Sequence, residues 1–240
     1  MPSIKPTMQD ESLLPMRRND ETRGQKRWWH YGCIGGIVLL ILVFVATFIG
    51  EVRWVPTSSM ENTIKAKSLV WMDKFTYGAR LPQRVSDVPI VKYIFFLVPY
   101  LYPHDLNCNW GYGRMPGLHQ PRRGDVIVFD SPCGDSTLFC KRLIGLPGDT
   151  VEIRHGAAFV NGSRLPLPRT VLPTIEADTI YTVSYPAGTK WNTHHYGPLV
   201  IPSCTEERYY FVLGDNRRNS CDSRVWGLVK YKDIVGRIIP

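Results

Sequence analysis

The sequence predicts a mainly β protein: an antiparallel β-sheet domain behind a single N-terminal transmembrane helix. Three observations carry this. Residues 31–50 read YGCIGGIVLLILVFVATFIG, without one charge. Beyond residue 120, short apolar segments rich in β-branched residues alternate with Gly, Pro and Asn turn signals. Outside the apolar stretch, no segment of helical period exceeds about ten residues, so strands follow strands without intervening helices. Composition agrees with a folded domain. Of 240 residues, 44% are hydrophobic and 12% aromatic, which excludes a disordered chain. Six cysteines are too few for a disulfide-dense scaffold, and no Cys-x-x-Cys pair suggests a zinc ribbon.

Residues 1–30 form a basic N-terminal segment. Arg17, Arg18, Arg23, Lys26 and Arg27 outweigh Asp20 and Glu21 just before the apolar run, whereas only Glu51 and Arg53 follow it closely. This asymmetry predicts a cytoplasmic N-terminus. The twenty residues 31–50, as a helix, span about 30 Å, the hydrocarbon thickness of a bilayer. A cleaved leader would have a shorter apolar core, of about 7–15 residues, nearer the chain start. Trp28 and Trp29 stand where an interfacial aromatic belt belongs.

Residues 51–240 are then extracytoplasmic. The net charge of +8 divides unevenly, because this part carries 23 basic and 17 acidic residues. Without a basic cluster, and outside the cytoplasm, nucleic acid is not the expected partner. A lipid bilayer surface is.

Strands are expected at Asp125–Phe129, Leu138–Ile144, Thr150–Ile153, Ala158–Val160, Tyr209–Leu213 and Ile234–Ile239. Asn161-Gly162 is a strong hairpin dipeptide. Two stretches interrupt the pattern. Residues 78–121 form an insertion whose aromatic run, Tyr93 to Pro103, suits either a core loop or a membrane-interfacial contact. Residues 165–203 read as a variable, solvated loop region. Its His194-His195 pair lacks a third ligand at useful spacing, so no metal or cofactor is expected.

Three polar segments stand out among the strands: Thr57-Ser58-Ser59-Met60 just past the apolar run, Lys141-Arg142 on an apolar strand, and Gly214 to Arg224. A serine becomes a nucleophile only beside an activating base. No histidine stands in a comparable setting. A lysine can serve if its pKa falls from about 10.4 to about 7–8, which burial among apolar side chains can achieve. Leu138, Phe139, Leu143 and Ile144 flank Lys141 and would supply that burial. Read alone, these residues leave a Ser–Lys pair open against an ordinary strand lysine with its head in solvent.

In this order behind an apolar anchor, the segments resemble type I signal peptidase, the membrane-bound Ser–Lys protease family. The resemblance rests on Thr57-Ser58-Ser59-Met60, Arg123 to Phe129, Lys141 to Asp149 and Gly214 to Arg224. It implies a signal-peptidase-like catalytic β domain in a bacterial cytoplasmic (inner) membrane, cleaving signal peptides from exported preproteins after small residues in an Ala-x-Ala pattern. It implies Ser59 as nucleophile and Lys141 as general base. The oxyanion hole would be the Ser59 N–H and the Thr57 hydroxyl, where the family usually has serine. Ser220 would hydrogen-bond and orient Lys141, and Asp222 and Arg224 would form a supporting ion pair. Val55, Met60, Val70, Cys140 and Cys221 would line the substrate pockets. A relative specialised for pilin or conjugation proteins would use the same dyad.

The five cysteines beyond the anchor face an oxidising compartment in this topology, and at most two disulfides are expected. Cys133 with Cys140 across a turn is one pairing, and Cys140 with Cys221 at the site is another.

Overall fold

The computed structural model describes residues 19–239, except 62, 90, 92–97, 99–104, 106–107, 133, 135–136, 167–190, 193 and 205. Most of the N-terminal segment, the aromatic run of the insertion, Cys133 and much of the 165–203 region lie outside the described residues.

An α-helix, α1, covers Asn19–Phe44 and continues as one π-helical turn over Val45–Ile49. From Trp28 to Ile49 it is long and apolar enough to cross a membrane, and its side chains are almost all exposed. The helix starts well before residue 31 because nothing in residues 19–30 breaks it: there is no proline, and only one glycine.

Among the described residues, the rest of the chain is built on two antiparallel sheets. The strands are β1 (Gly50–Val55), β2 (Ser68–Asp73), β3 (Val126–Asp130), β4 (Leu138–Gly145), β5 (Thr150–Arg154), β6 (Ala157–Val160), β7 (Ser163–Arg164), β8 (Tyr196–Val200), β9 (Tyr209–Leu213), β10 (Val229–Lys230) and β11 (Ile234–Ile238). The larger sheet runs β1-β2-β11-β3-β4-β9-β10 and the smaller β7-β6-β5-β8. A short helix, α2 (Ser223–Trp226), lies between β9 and β10.

The strand segments expected from the sequence form β3, β4, β5, β6, β9 and β11. Asn161 and Gly162 both have positive φ, 52° and 79°, as the tight hairpin between β6 and β7 requires. The region read as a solvated loop needs correcting at its end. Residues 196–200 form β8, paired with β5, and Tyr196 and His194 are buried. The reason is packing: Tyr196 stacks on Phe211 and Trp191, closing the core of the smaller sheet.

Among the described residues, three apolar clusters form the core. One fills the smaller sheet against Ile144, Phe211 and Leu213; one lies under Tyr77, Ile127, Phe129 and Val212; one packs Met60, Ile64 and Met72 against Val126 and Ile238. The β1–β2 hairpin inverts the usual pattern. Glu51 and Arg53 are half-buried, whereas Val52, Trp54, Leu69 and Trp71 are exposed on its other face.

Two free edges matter for the site. Strand β1 ends its sheet. On β4, residues 138–142 pair with β3, but β9 joins the other side only from Arg142 onward. Four successive antiparallel pairings separate β1 from β4, so the two strands run in the same direction.

Candidate active site

Ser59 follows β1 on a turn that its neighbour fixes. The Met60 side chain is 1% exposed, and its carbonyl accepts hydrogen bonds from Thr63 and Ile64 N–H at 3.1 and 2.8 Å. With Met60 locked in the core, Ser59 points into the cleft. Met60 therefore does not line the cleft, contrary to its expected pocket role. It is an anchor beneath Ser59.

Lys141 projects from the middle of β4, opposite Ile127. Its Nζ donates to Ser59 Oγ at 2.7 Å, and both residues are buried. Burial pushes the Lys141 amine below its ordinary pKa, while the nearby Asp222 carboxylate opposes that fall. The Phe139 ring, 5.8 Å from Nζ, forms part of the apolar surround. Thr57 Oγ1 lies 3.4 Å from Ser59 Oγ, so the two hydroxyls share one mouth.

The 214–224 segment clamps the Ser58–Ser59 backbone. Asn216 N–H donates to the Ser59 carbonyl at 3.0 Å, and its side-chain amide to the Ser58 carbonyl at 3.2 Å. Asn219 Nδ2 donates to Ser58 Oγ at 3.0 Å. Gly214 permits this approach, since a Cβ there would strike the Ser220 hydroxyl and the Ser59 carbonyl.

Asp222 and Arg224 form a fully buried pair, with Nε–Oδ1 at 2.9 Å and Nη2–Oδ2 at 3.0 Å. Asp222 also accepts from Gly214 N–H and caps α2. Burial alone would raise the Asp222 carboxyl, but Arg224 and the Gly214 N–H hold it below the usual carboxylate range. Ser220 departs from expectation. Its hydroxyl is buried with no hydrogen-bond partner among the described residues, and it does not hold Lys141. Lys141 instead directs its amine to Ser59.

Sequence reasoning missed a second buried pair. Arg142 donates through Nε and Nη2 to Asp215 at 2.8 and 2.5 Å, and Thr63 Oγ1 donates to the same carboxylate at 2.6 Å. The signal was an arginine in an apolar strand and an aspartate just past β9, two residues beyond Leu213, the strand partner of Arg142. Arg217 is also buried: its Nε donates to the Gly214 carbonyl at 2.8 Å, and burial pushes its pKa down to about 10.

A cleft of about 1000 Å³ opens on Ser59 and Lys141. Val55, Val70, Cys140 and Cys221 line it, together with Val128 and Ile238. Cys108, Cys140 and Cys204 are free thiols. Burial pushes the Cys140 thiol up to about 12, so it is a protonated, apolar wall at neutral pH. Among the described residues, no group of three His, Cys, Asp or Glu side chains could hold a metal ion.

Known proteins are similar to this chain in sequence. The family described as signal peptidase, peptidase S26, matches residues 28–239. A probable signal peptidase I-2 of Synechocystis is 27% identical over 235 residues, covering 96% of this chain and 80% of the relative. Signal peptidase I of Rickettsia prowazekii is 30% identical over 217 residues, covering 83% and 74%. A crystal structure of a signal peptidase I from Enterococcus faecalis is 33% identical, covering 50% of this chain and 98% of that one, with a TM-score of 0.38. With the match running from the apolar helix to the last strand, the chain belongs to the signal peptidase family, peptidase S26.

Proposed function

We propose that this chain is a type I signal peptidase that cleaves exported preproteins by a Ser59–Lys141 dyad. The observation that carries the proposal is the 2.7 Å contact between Lys141 Nζ and Ser59 Oγ inside a buried site. An amine with a lowered pKa can be neutral at working pH and accept the Ser59 proton as Oγ attacks the scissile carbonyl. The oxyanion would take hydrogen bonds from the Ser59 N–H and the Thr57 hydroxyl. Lys141 would then return the proton to the leaving amine, and a water activated by Lys141 would release the acyl group.

The substrate preference follows from the cleft. Val55, Val70 and Cys140 give the cleft an apolar wall, and the preferred side chains there would be small, as in an Ala-x-Ala motif. The free edges of β1 and of Leu138–Lys141 would pair with an extended signal peptide. Residues 1–30 would be cytoplasmic, 31–50 the membrane span and 51–240 the catalytic domain on the outer side of the membrane. The basic flank before Trp28 supports that orientation.

The test is cleavage of a preprotein with an Ala-x-Ala site by wild type, Ser59→Ala and Lys141→Ala. Both variants should lose cleavage, and unchanged cleavage by either rejects the dyad. Processing of one pilin-like substrate, with ordinary preproteins ignored, would instead favour a specialised maturase.

A further inference from the structure

The peptide group between Ser58 and Ser59 is held from one side. The Ser58 carbonyl accepts from the Asn216 side-chain amide at 3.2 Å and from the Glu61 N–H at 3.0 Å. The Ser59 carbonyl accepts from the Asn216 N–H at 3.0 Å. Asn216 thus reaches two successive carbonyls, one with its side chain and one with its backbone.

Its own position is fixed. The Asn216 Oδ1 accepts from the Asn219 N–H at 3.3 Å, which leaves Nδ2 as the end that faces Ser58. On one side stands Asp215, whose carboxylate takes hydrogen bonds from Arg142 and Thr63. On the other stands Arg217, tied through Nε to the Gly214 carbonyl at 2.8 Å. Asn216 is 8% exposed, so water competes little for its amide. Thr63 lies on the turn that follows Ser59, so the same carboxylate ties that turn to the 214–224 segment.

The Ser58–Ser59 peptide is trans. In a planar trans peptide the C=O and the N–H point in opposite directions. A donor that holds the Ser58 carbonyl therefore also sets the direction of the Ser59 N–H, which points away from Asn216. Among the described residues that N–H meets no acceptor. Thr57, Ser58 and Ser59 all line the cleft, where the scissile carbonyl would lie.

Building on the dyad reading, we propose that Asn216 is a positioning residue for the reaction: through the Ser58 carbonyl it aims the Ser59 N–H at the oxygen of the scissile carbonyl. Its side chain acts through a backbone carbonyl and touches none of the reacting atoms. The effect is concentrated in the transition state. Negative charge builds on that oxygen only as Ser59 Oγ attacks, and a hydrogen bond weakens steeply as its angle departs from linear. A small rotation of the peptide plane therefore costs more in the transition state than in the bound substrate.

The experiment uses the full chain in detergent micelles, one Ala-x-Ala peptide, and steady-state kinetics across pH for wild type and Asn216→Ala. The variant keeps the backbone N–H on the Ser59 carbonyl and the Glu61 N–H on the Ser58 carbonyl, so it loosens the peptide plane without releasing it. Its kcat should fall about 10–100-fold, less than the loss typical of deleting an oxyanion donor outright. KM should change little, and the acid limb of the pH profile should keep its midpoint, because Lys141 is untouched. A kcat like that of wild type, a loss carried by KM, or a limb that moves with the plateau would each overturn the proposal. Asn216→Asp has the same shape and cannot donate while ionised; should Asn216→Ala fail to fold, the same readouts on Asn216→Asp decide. The two readings fail separately: cleavage that survives Ser59→Ala rejects the dyad, whereas an unimpaired Asn216→Ala beside an inactive Ser59→Ala rejects the positioning role alone.

Discussion

Lys141 and Arg142 are neighbours on β4 and take opposite partners: Lys141 reaches Ser59 at 2.7 Å, and Arg142 reaches Asp215 at 2.5 Å. Alternation along a strand places consecutive side chains on opposite faces. One strand thus serves the Ser59 hydroxyl on one face and, on the other, locks the segment whose Asn216 holds the Ser59 carbonyl.

The first prediction concerns pH. In the proposed dyad Lys141 acts only when neutral, so kcat/KM should rise with pH along an acid limb governed by its pKa. Burial lowers that pKa, so the limb should lie below the ordinary lysine value of about 10.4. A pH–rate profile measures it.

A stability consequence has the opposite sign from the usual acidic case. The folded state holds Lys141 with fewer protons than the unfolded chain, so burying it costs stability below the unfolded pKa. Lys141→Met should abolish cleavage yet raise Tm at neutral pH. The gain should shrink as pH approaches about 10.4. Thermal unfolding across pH checks both halves.

Thr57 is predicted to act on the chemical step. Thr57→Val keeps the shape and removes the hydroxyl, so kcat should fall about 10²–10³-fold with KM little changed, the loss typical of an oxyanion donor. Thr57→Ser should retain activity, since it keeps the hydroxyl and frees χ1. Steady-state kinetics on one peptide distinguishes these outcomes.

The buried pairs should be costly to break from one side. Asp222→Ala leaves Arg224 without its carboxylate at 1% exposure, and Asp215→Ala does the same to Arg142. Each should destabilise by about 3–5 kcal/mol. The Asp222 contribution is present above the ordinary carboxylate pKa and is lost as pH falls through its lowered value. Chemical denaturation at neutral and acid pH measures both.

Much of this architecture was legible in the sequence, because β3 to β6, β9 and β11 have apolar cores bounded by strong turn residues. Strand β1 was not. Its alternation is present but inverted, with Glu51 and Arg53 inward and Val52 and Trp54 outward, so polarity does not mark the buried face. Strand β8 was masked by Gly197-Pro198, which reads as a loop, although Tyr196 and Leu199 are buried. At the site, Lys141 is conspicuous amid Leu138, Phe139, Leu143 and Ile144, but the residues alone left its pairing with Ser59 open, and the expectation of that pair came from the resemblance to the family. The Ser220 hydroxyl was not legible, since its rotamer depends on packing beneath Gly214. Met60 was misplaced for a related reason. A side chain next to a nucleophile looks like a pocket wall until the turn shows it facing inward.

The outward apolar face of the β1–β2 hairpin has a practical consequence. Val52, Trp54, Leu69 and Trp71 present hydrocarbon to whatever surrounds the domain. In plain aqueous buffer that surface has no cover, and such patches drive self-association. A truncated form beginning near residue 43 should therefore aggregate as its concentration rises and return to monomers when mild surfactant is added, so removing the anchor would not by itself yield a well-behaved soluble enzyme.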